Sequence, residues 1–396
     1  MINVTKILCG LEQPKDDLRY GEGAGAPKAA SERKPVVVWN VTRTCNLACI
    51  HCYADSYAQA YEGELTHEQG RALLDDLAQF GVPAVLLSGG EPLTRRDTLD
   101  LAQYGRSIGL KFTLSTNGTL IDLGTAQRIR DIDFSYVGIS LDGIGETNNK
   151  FRGNPRAFER AVQGIRNCRT VGQKVGLRLT LTPQTVRDLD EIFDFIDEEG
   201  VNRACFYHLV PAGRGRGQVD LSHEDSRLAL ETIARRTRDF VERGDPREIL
   251  TVDNHTDGPF YYLLLLAEGN IEAAERAYKS LAWNGGGRYS SGVGICDIDP
   301  QGNIHPDQFW QSATLGNVKA RKFSEIWTDP DIELLGQLRN RLPLLTGRCA
   351  WCRFLNLCGG NFRVRALAAT GDMWAPDPAC YLTDEQIAPR PAAALV

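Results

Sequence analysis

The stretch TCNLACIHCY, residues 44–53, carries Cys45, Cys49 and Cys52 in a C-x3-C-x2-C spacing. Three thiols on so short a segment can meet at one metal centre, and thiolate is a ligand that zinc and iron–sulfur clusters both accept. A closed tetrahedral site needs a fourth ligand. The one nearby, His51, stands awkwardly for that task between Ile50 and Cys52. Two readings follow: zinc closed by His51, or a [4Fe–4S] cluster with three protein ligands and one open iron. The second leaves a coordination position for a small molecule. A second group, RCAWCRFLNLCGG, sets Cys349, Cys352 and Cys358 at C-x2-C-x5-C, with Cys380 further on. Four thiolates saturate either a structural zinc or a second, auxiliary [4Fe–4S] cluster. Cys296 competes with Cys380 for the fourth place, and Cys380 is the expected ligand. The cysteines number eleven, and seven of them sit in these two groups. That pattern belongs to metal binding in a reducing compartment rather than to a disulfide scaffold. Cys9, Cys168 and Cys205 are isolated and read as small buried side chains.

The elements that must position these groups alternate regularly. PVVVWNV (35–41), AVLLSGG (84–90), KFTLSTNG (111–118), FSYVGISLDG (134–143), VGLRLTLTP (175–183) and ACFYHLV (204–210) read as strands, several running into turns. Helical patterns separate them, the first opened by a capping-box-like T-x-x-Q at Thr66–Gln69. Six serial β/α units imply parallel strands with right-handed crossovers. They are too few for an eight-stranded barrel, so the fold class expected is α/β, an open partial (β/α)6 TIM-like barrel. A smaller C-terminal α+β iron–sulfur domain follows. The chemistry-bearing motifs all come after strands and therefore gather at one rim.

The expected organisation is an N-terminal segment and flexible link at 1–34, the barrel at 35–220 and a helical connection at 221–293. The iron–sulfur unit, opening with a hairpin at 294–310, runs to 385, and 386–396 is a tail. Helices are expected at 222–244, about 258–282 and 323–340. With 42% apolar and 24% charged residues and a net charge of −6, the composition argues against a nucleic-acid-coating protein. The longest apolar run, FYYLLLLA at 260–267, is too short for a membrane span, and residues 1–25 lack a secretory pattern. A cytoplasmic location is expected.

C-x3-C-x2-C followed by Tyr53, on the first loop of a β/α barrel, resembles the radical S-adenosylmethionine (SAM) enzymes. The resemblance covers roughly residues 35–215 and implies that the open iron chelates the amino and carboxylate groups of SAM. It also assigns roles: Tyr53 near the adenine; Gly89, Gly90 and Glu91 of SGGEP at the methionyl ammonium; Thr116 and Asn117 of STNG at the ribose. Ser140 of SLDG and Arg152 of FRG resemble the pair that holds the methionyl carboxylate. Singly these are ordinary turn motifs; their order behind the cysteines carries the reading. The C-terminal group resembles the auxiliary-cluster extension of such enzymes. Where the two-cluster form of that extension has further ligands, this chain has Asp307 and Phe362, which implies one auxiliary cluster only.

MINVTKILCGL, YHLVPAGRGRG and TVDNHTDGPF resemble the haem d1 biosynthesis branch of this family. That implies a sirohaem-derived tetrapyrrole substrate, removal of two propionates from didecarboxysirohaem, and an external electron donor. For such a polyanionic, iron-bearing substrate, Arg214 and Arg216 are candidate carboxylate clamps or an exposed basic loop. His208 and His255 are candidate iron ligands or proton donors, or plain hydrogen-bonded histidines. Asp253, Asn254 and Asp257 read as turn builders. Competing functions are oxidative decarboxylation of haem-precursor propionates, peptide maturation, and a non-enzymatic iron–sulfur carrier or scaffold. Residues 1–34 are too short for a leader-binding domain, which counts against the peptide maturase.

Overall fold

The alternation of β-branched runs with amphipathic helices builds one parallel sheet. The computed structural model describes residues 1–12, 16, 20 and 29–389. The link at 21–28 and the tail from 390 lie outside the described residues. The six expected strands are present: β2 (Val36–Thr42), β3 (Val85–Gly89), β4 (Phe112–Thr116), β5 (Val137–Ser140), β6 (Val175–Leu181) and β7 (Arg203–His208). They pair in sequence order and in parallel. Helices on the outer face cover them, among them His67–Phe80, capped by Thr66 and Gln69 as the sequence pattern predicts. Val37, Trp39, Phe112, Leu114, Ile139 and Leu177 are buried in the core that results, each large apolar side chain contributing about 1.5–3 kcal/mol.

The count of six is one short. β8 (Glu248–Val252) lies parallel beside β7, inside the stretch expected to be a helical connection. All five of its residues are buried, so EILTV has no inside–outside alternation to betray a strand. β1 (Ile2–Asn3) closes that edge antiparallel to β8, and the helix Val4–Cys9 follows it. Asn3 caps this helix through Lys6 N–H at 3.1 Å and donates to Asp16 at 3.0 Å, while the Thr5 hydroxyl donates to Arg247 O at 2.6 Å and ties the N-terminal segment to the barrel.

At the other edge the hairpin expected at 294–310 appears as β9 (Ile295–Ile298) and β10 (Asn303–His305), with β11 (Gly316–Asn317) beyond. It is not a separate layer: β9 runs parallel to β2, and all eleven strands form one sheet. The helical stretch at 258–282 divides into Asp257–Ala267 and Ile271–Asn284, and that at 323–340 into Phe323–Thr328 and Glu333–Arg339. Among the described residues, no helix is long and apolar enough to cross a membrane.

The junction of hairpin and barrel rests on Asn40 of β2, whose amide donates to Asp297 of β9 at 2.9 Å. Burial holds the Asp297 carboxyl well above the carboxylate range, and its second oxygen meets no donor. Asn40→Leu removes that one side-chain donor. We expect it to destabilise the fold by about 1–3 kcal/mol, measured as a lowered urea midpoint; an unchanged midpoint would show that the junction does not rely on this contact.

Candidate functional site

The loops that leave β2, β3, β4 and β5 surround a cavity at the C-terminal rim of the sheet, with about 1080 Å³ of empty space counting its open mouth. Cys45, Cys49 and Cys52 line it together. Donors point at the sulfurs: within the loop, Leu47 N–H lies 3.4 Å from Cys45 Sγ and Ser56 N–H 3.5 Å from Cys52 Sγ, and from a later helix Arg152 Nη1 lies 3.6 Å from Cys49 Sγ. Burial raises the Cys49 thiol and pushes Cys45 up to about 12. A metal entering the site must therefore displace protons, as thiolate ligation generally requires.

His51, the zinc alternative's fourth ligand, is engaged elsewhere. Its ring packs on Phe151 at 4.4 Å, Nε2 faces Asp142 at 3.7 Å, and burial brings its pKa down to about 4. Among the described residues no three His, Cys, Asp or Glu side chains close on one point as a single ion requires. The thiols instead ring a cavity, which suits a polynuclear cluster whose irons hold their thiolates apart.

The structure gives the expected site residues specific protein partners. Arg214, a candidate carboxylate clamp, lines the cavity and holds the cysteine loop. Its Nε donates to Cys49 O at 2.8 Å, Nη2 to Ser56 O at 3.0 Å and Nη1 to Asp55 at 2.9 Å. Arg216 is exposed and outside the cavity. Glu91 is turned into the protein rather than into the cavity, accepting from Leu93 N–H at 3.1 Å, Thr116 Oγ1 at 2.8 Å and Asn117 N–H at 2.7 Å. It thereby joins the loop after β3 to the loop after β4. Gly90 packs against the cysteine loop itself: a Cβ there would lie 2.4 Å from Thr44 O. Thr116 and Asn117 line the cavity, but the Thr116 hydroxyl serves Glu91, and the Asn117 amide donates to Asn46 at 2.8 Å.

Ser140 and Arg152 face the cavity together, and Arg152 is ion-paired with Asp142 beside Cys49. Tyr53 also lines it, its hydroxyl donating to Asn40 at 2.9 Å and its ring edge-on to Phe309 of the C-terminal hairpin at 5.4 Å. Of the two histidines only His208 reaches the cavity. Its Nε2 lies 3.1 Å from Asp257, and Nδ1 lies 3.5 Å from the Asn254 amide, so both ring nitrogens face protein partners. His255 is buried outside the cavity, its backbone N–H bound by Asn361 at 2.6 Å.

Asp253 is the functional candidate that reading the sequence as a turn overlooked. It follows β8, lines the cavity, sits at φ +65° and has an oxygen with no donor. Its signal was an acid at a strand end on the catalytic rim, invisible without the strand. Burial pushes its pKa from 3.8 up to about 6.

The second thiol group also assembles. Cys349, Cys352, Cys358 and Cys380 line one small cavity, with burial pushing Cys349 up to about 11. Cys296 is excluded from it: β9 places this thiol in the barrel core opposite Val37. Asp307 and Phe362, at the two positions lacking the additional ligands, are buried in the protein interior. Asp307 accepts from Phe309 N–H at 2.9 Å, and Phe362 packs near Phe309 at 5.8 Å.

Residues 39–196 match the radical SAM superfamily. The chain is 51% identical to Fe-coproporphyrin III synthase of Methanosarcina barkeri, over 98% of this chain and 99% of that protein. It is 48% identical to pre-heme d1 synthase of Dinoroseobacter shibae, over 88% and 87%. Among solved structures, Streptococcus suis SuiB bound to S-adenosylmethionine is similar with a TM-score of 0.69 at 19% identity, covering 88% of this chain and 78% of that one. Native anSMEcpe with bound AdoMet matches equally, TM-score 0.69 at 19% identity, covering 87% and 93%. The chain belongs to the radical SAM superfamily. It is an enzyme of the class that uses a [4Fe–4S] cluster and SAM, with an architecture like that of SuiB and anSMEcpe.

Two predictions follow from this geometry. Gly90→Ala should lower the iron held by the N-terminal thiols while leaving that of the C-terminal group, read as iron per chain beside a Cys45/Cys49/Cys52→Ala control. Equal loss from both groups would contradict the local contact. Because the folded pKa of Asp253 lies above its ordinary 3.8, its contribution to stability is full below that value and is lost as pH rises through about 6. Asp253→Asn, which tolerates the left-handed backbone, should therefore raise stability by up to about 3 kcal/mol at pH 8. The gain should shrink towards pH 4, measured by urea unfolding; a gain that ignores pH would contradict the buried charge.

Proposed function

We propose that this enzyme acts on an iron tetrapyrrole of haem biosynthesis, removing two propionate side chains from 12,18-didecarboxysirohaem. The reading is carried by the near full-length similarity to proteins named for haem precursors, joined to a cavity in which the three thiols share an interior with arginine. A second reading, formation of Fe-coproporphyrin III, is favoured by the 51% identity to the synthase of that name. When bound, the cluster and SAM would supply 5′-deoxyadenosyl-radical chemistry, able to abstract a hydrogen atom from a substrate side chain.

The protein's part is to bind, orient and exclude water. Cys45, Cys49 and Cys52 hold the cluster, and Ser140 and Arg152 receive the methionyl carboxylate, with Arg152 fixed by Asp142. Tyr53 borders the adenine, and Gly89, Gly90, Thr116 and Asn117 shape the remaining cofactor wall. Glu91 acts through the loops it joins. His208, held by Asp257, borders the cavity. Cys349, Cys352, Cys358 and Cys380 hold an auxiliary [4Fe–4S] cluster, and an external donor supplies electrons.

The test is anaerobic. The reconstituted protein is given SAM, dithionite and didecarboxysirohaem, and 5′-deoxyadenosine, product mass and iron are followed. We expect about eight irons per chain, about four in the Cys45/Cys49/Cys52→Ala variant, and deoxyadenosine formed together with loss of propionate mass. Fe-coproporphyrin III as the product would select the second reading. Deoxyadenosine formation with an unchanged tetrapyrrole would overturn both, and zinc at the C-terminal thiols would overturn the auxiliary cluster.

A further inference from the structure

We propose that Arg178, on the inner wall of the barrel, is the clamp that receives a carboxylate of the substrate. The inference rests on the tetrapyrrole reading and adds to it the group that would recognise the substrate's charge.

Arg178 belongs to β6 and is in register with Ser140 of β5 and Cys205 of β7. Its side chain lines the same cavity as the three N-terminal thiols. The chain makes room for it: a Cβ on Gly138 of β5 would stand 2.8 Å from Arg178 Cδ. The guanidinium rests over the ring of Tyr207, 4.7 Å from its centroid. That contact orients the group without neutralising it.

The other cavity arginines already have carboxylates. Arg152 is paired with Asp142, and Arg214 with Asp55 at 2.9 Å. Arg178, by contrast, has no hydrogen bond or ion pair to any acidic side chain among the described residues. Asp253 faces the same cavity, yet the two do not come within ion-pairing distance, and one Asp253 oxygen meets no donor.

A half-buried guanidinium with no acidic side chain in hydrogen-bonding or ion-pairing contact is costly to keep, and its planar fork matches a carboxylate in a bidentate fashion. A side-chain carboxylate reaching into the barrel from the mouth would complete it. That arm would then lie in the cavity lined by the cluster thiols, where hydrogen abstraction must occur.

Arg178→Lys and Arg178→Gln test this in the full-length protein with its clusters reconstituted. Optical titration with didecarboxysirohaem should show affinity reduced about tenfold in the lysine variant and up to about a hundredfold in the glutamine variant. The tetrapyrrole with its carboxylates methyl-esterified should bind the wild type as weakly as the acid binds Arg178→Gln, and the variant should not distinguish ester from acid. SAM-induced change in the cluster's EPR signal, and deoxyadenosine formed without substrate, should be retained in both variants.

Undiminished tetrapyrrole affinity in the variants would overturn the proposal. So would loss of the SAM-induced change, because Arg178 would then serve the cofactor. A wild type that binds SAM but no tetrapyrrole would instead overturn the functional reading on which the clamp rests. The lysine variant keeps both stem and charge, so the comparison stands even if the glutamine variant does not fold.

Discussion

Gathering three thiols in a buried cavity is the constraint on which the rest of the structure depends. Burial raises Cys45 and Cys49, so the site disfavours bare thiolates and favours thiolates bound to metal. The loop that presents them has little regular secondary structure of its own. Its shape is imposed from outside. Arg214 binds the carbonyls of Cys49 and Ser56 from the far side of the barrel. Gly90 N–H and Glu91 N–H bind the carbonyls of Thr42 and Thr44 at 2.8 and 2.9 Å from the neighbouring strand loop.

This arrangement explains why the sheet must be continuous. Glu91 couples the second and third strand loops, Asp142 holds Arg152 beside Cys49, and Asp297 of the C-terminal hairpin is bound by the same Asn40 that receives the Tyr53 hydroxyl. Through Asn40, Tyr53 of the cavity wall and Asp297 of the C-terminal hairpin are thus joined by hydrogen bonds. The hairpin also contributes Gln308 and Phe309 to the cavity lining.

Much of this was legible in the chain because local rules agreed with the fold. The β/α alternation, the Thr66–Gln69 cap and the cysteine spacings gave the barrel, its rim and both thiol groups. What escaped was set by tertiary context. β8 is short and buried throughout, so neither alternation nor length marked it, and Asp253 was hidden with it. Arg214 sits in a glycine-rich loop that looks solvent-exposed; only folding reveals the carbonyls it binds. Glu91 carries a family motif, yet two of its three donors, Thr116 Oγ1 and Asn117 N–H, lie far along the chain. Cys296 was ambiguous by spacing and is settled by register, because its strand lies against β2 and points it into the core.

The central claim is that Cys45, Cys49 and Cys52 leave one iron open to SAM. Mössbauer spectra of a Cys349/Cys352/Cys358/Cys380→Ala variant, reconstituted with iron-57, test it most directly. The account predicts that adding SAM shifts the signal of one iron in about four and leaves the rest unchanged. A spectrum in which no iron responds, or all respond alike, would contradict it.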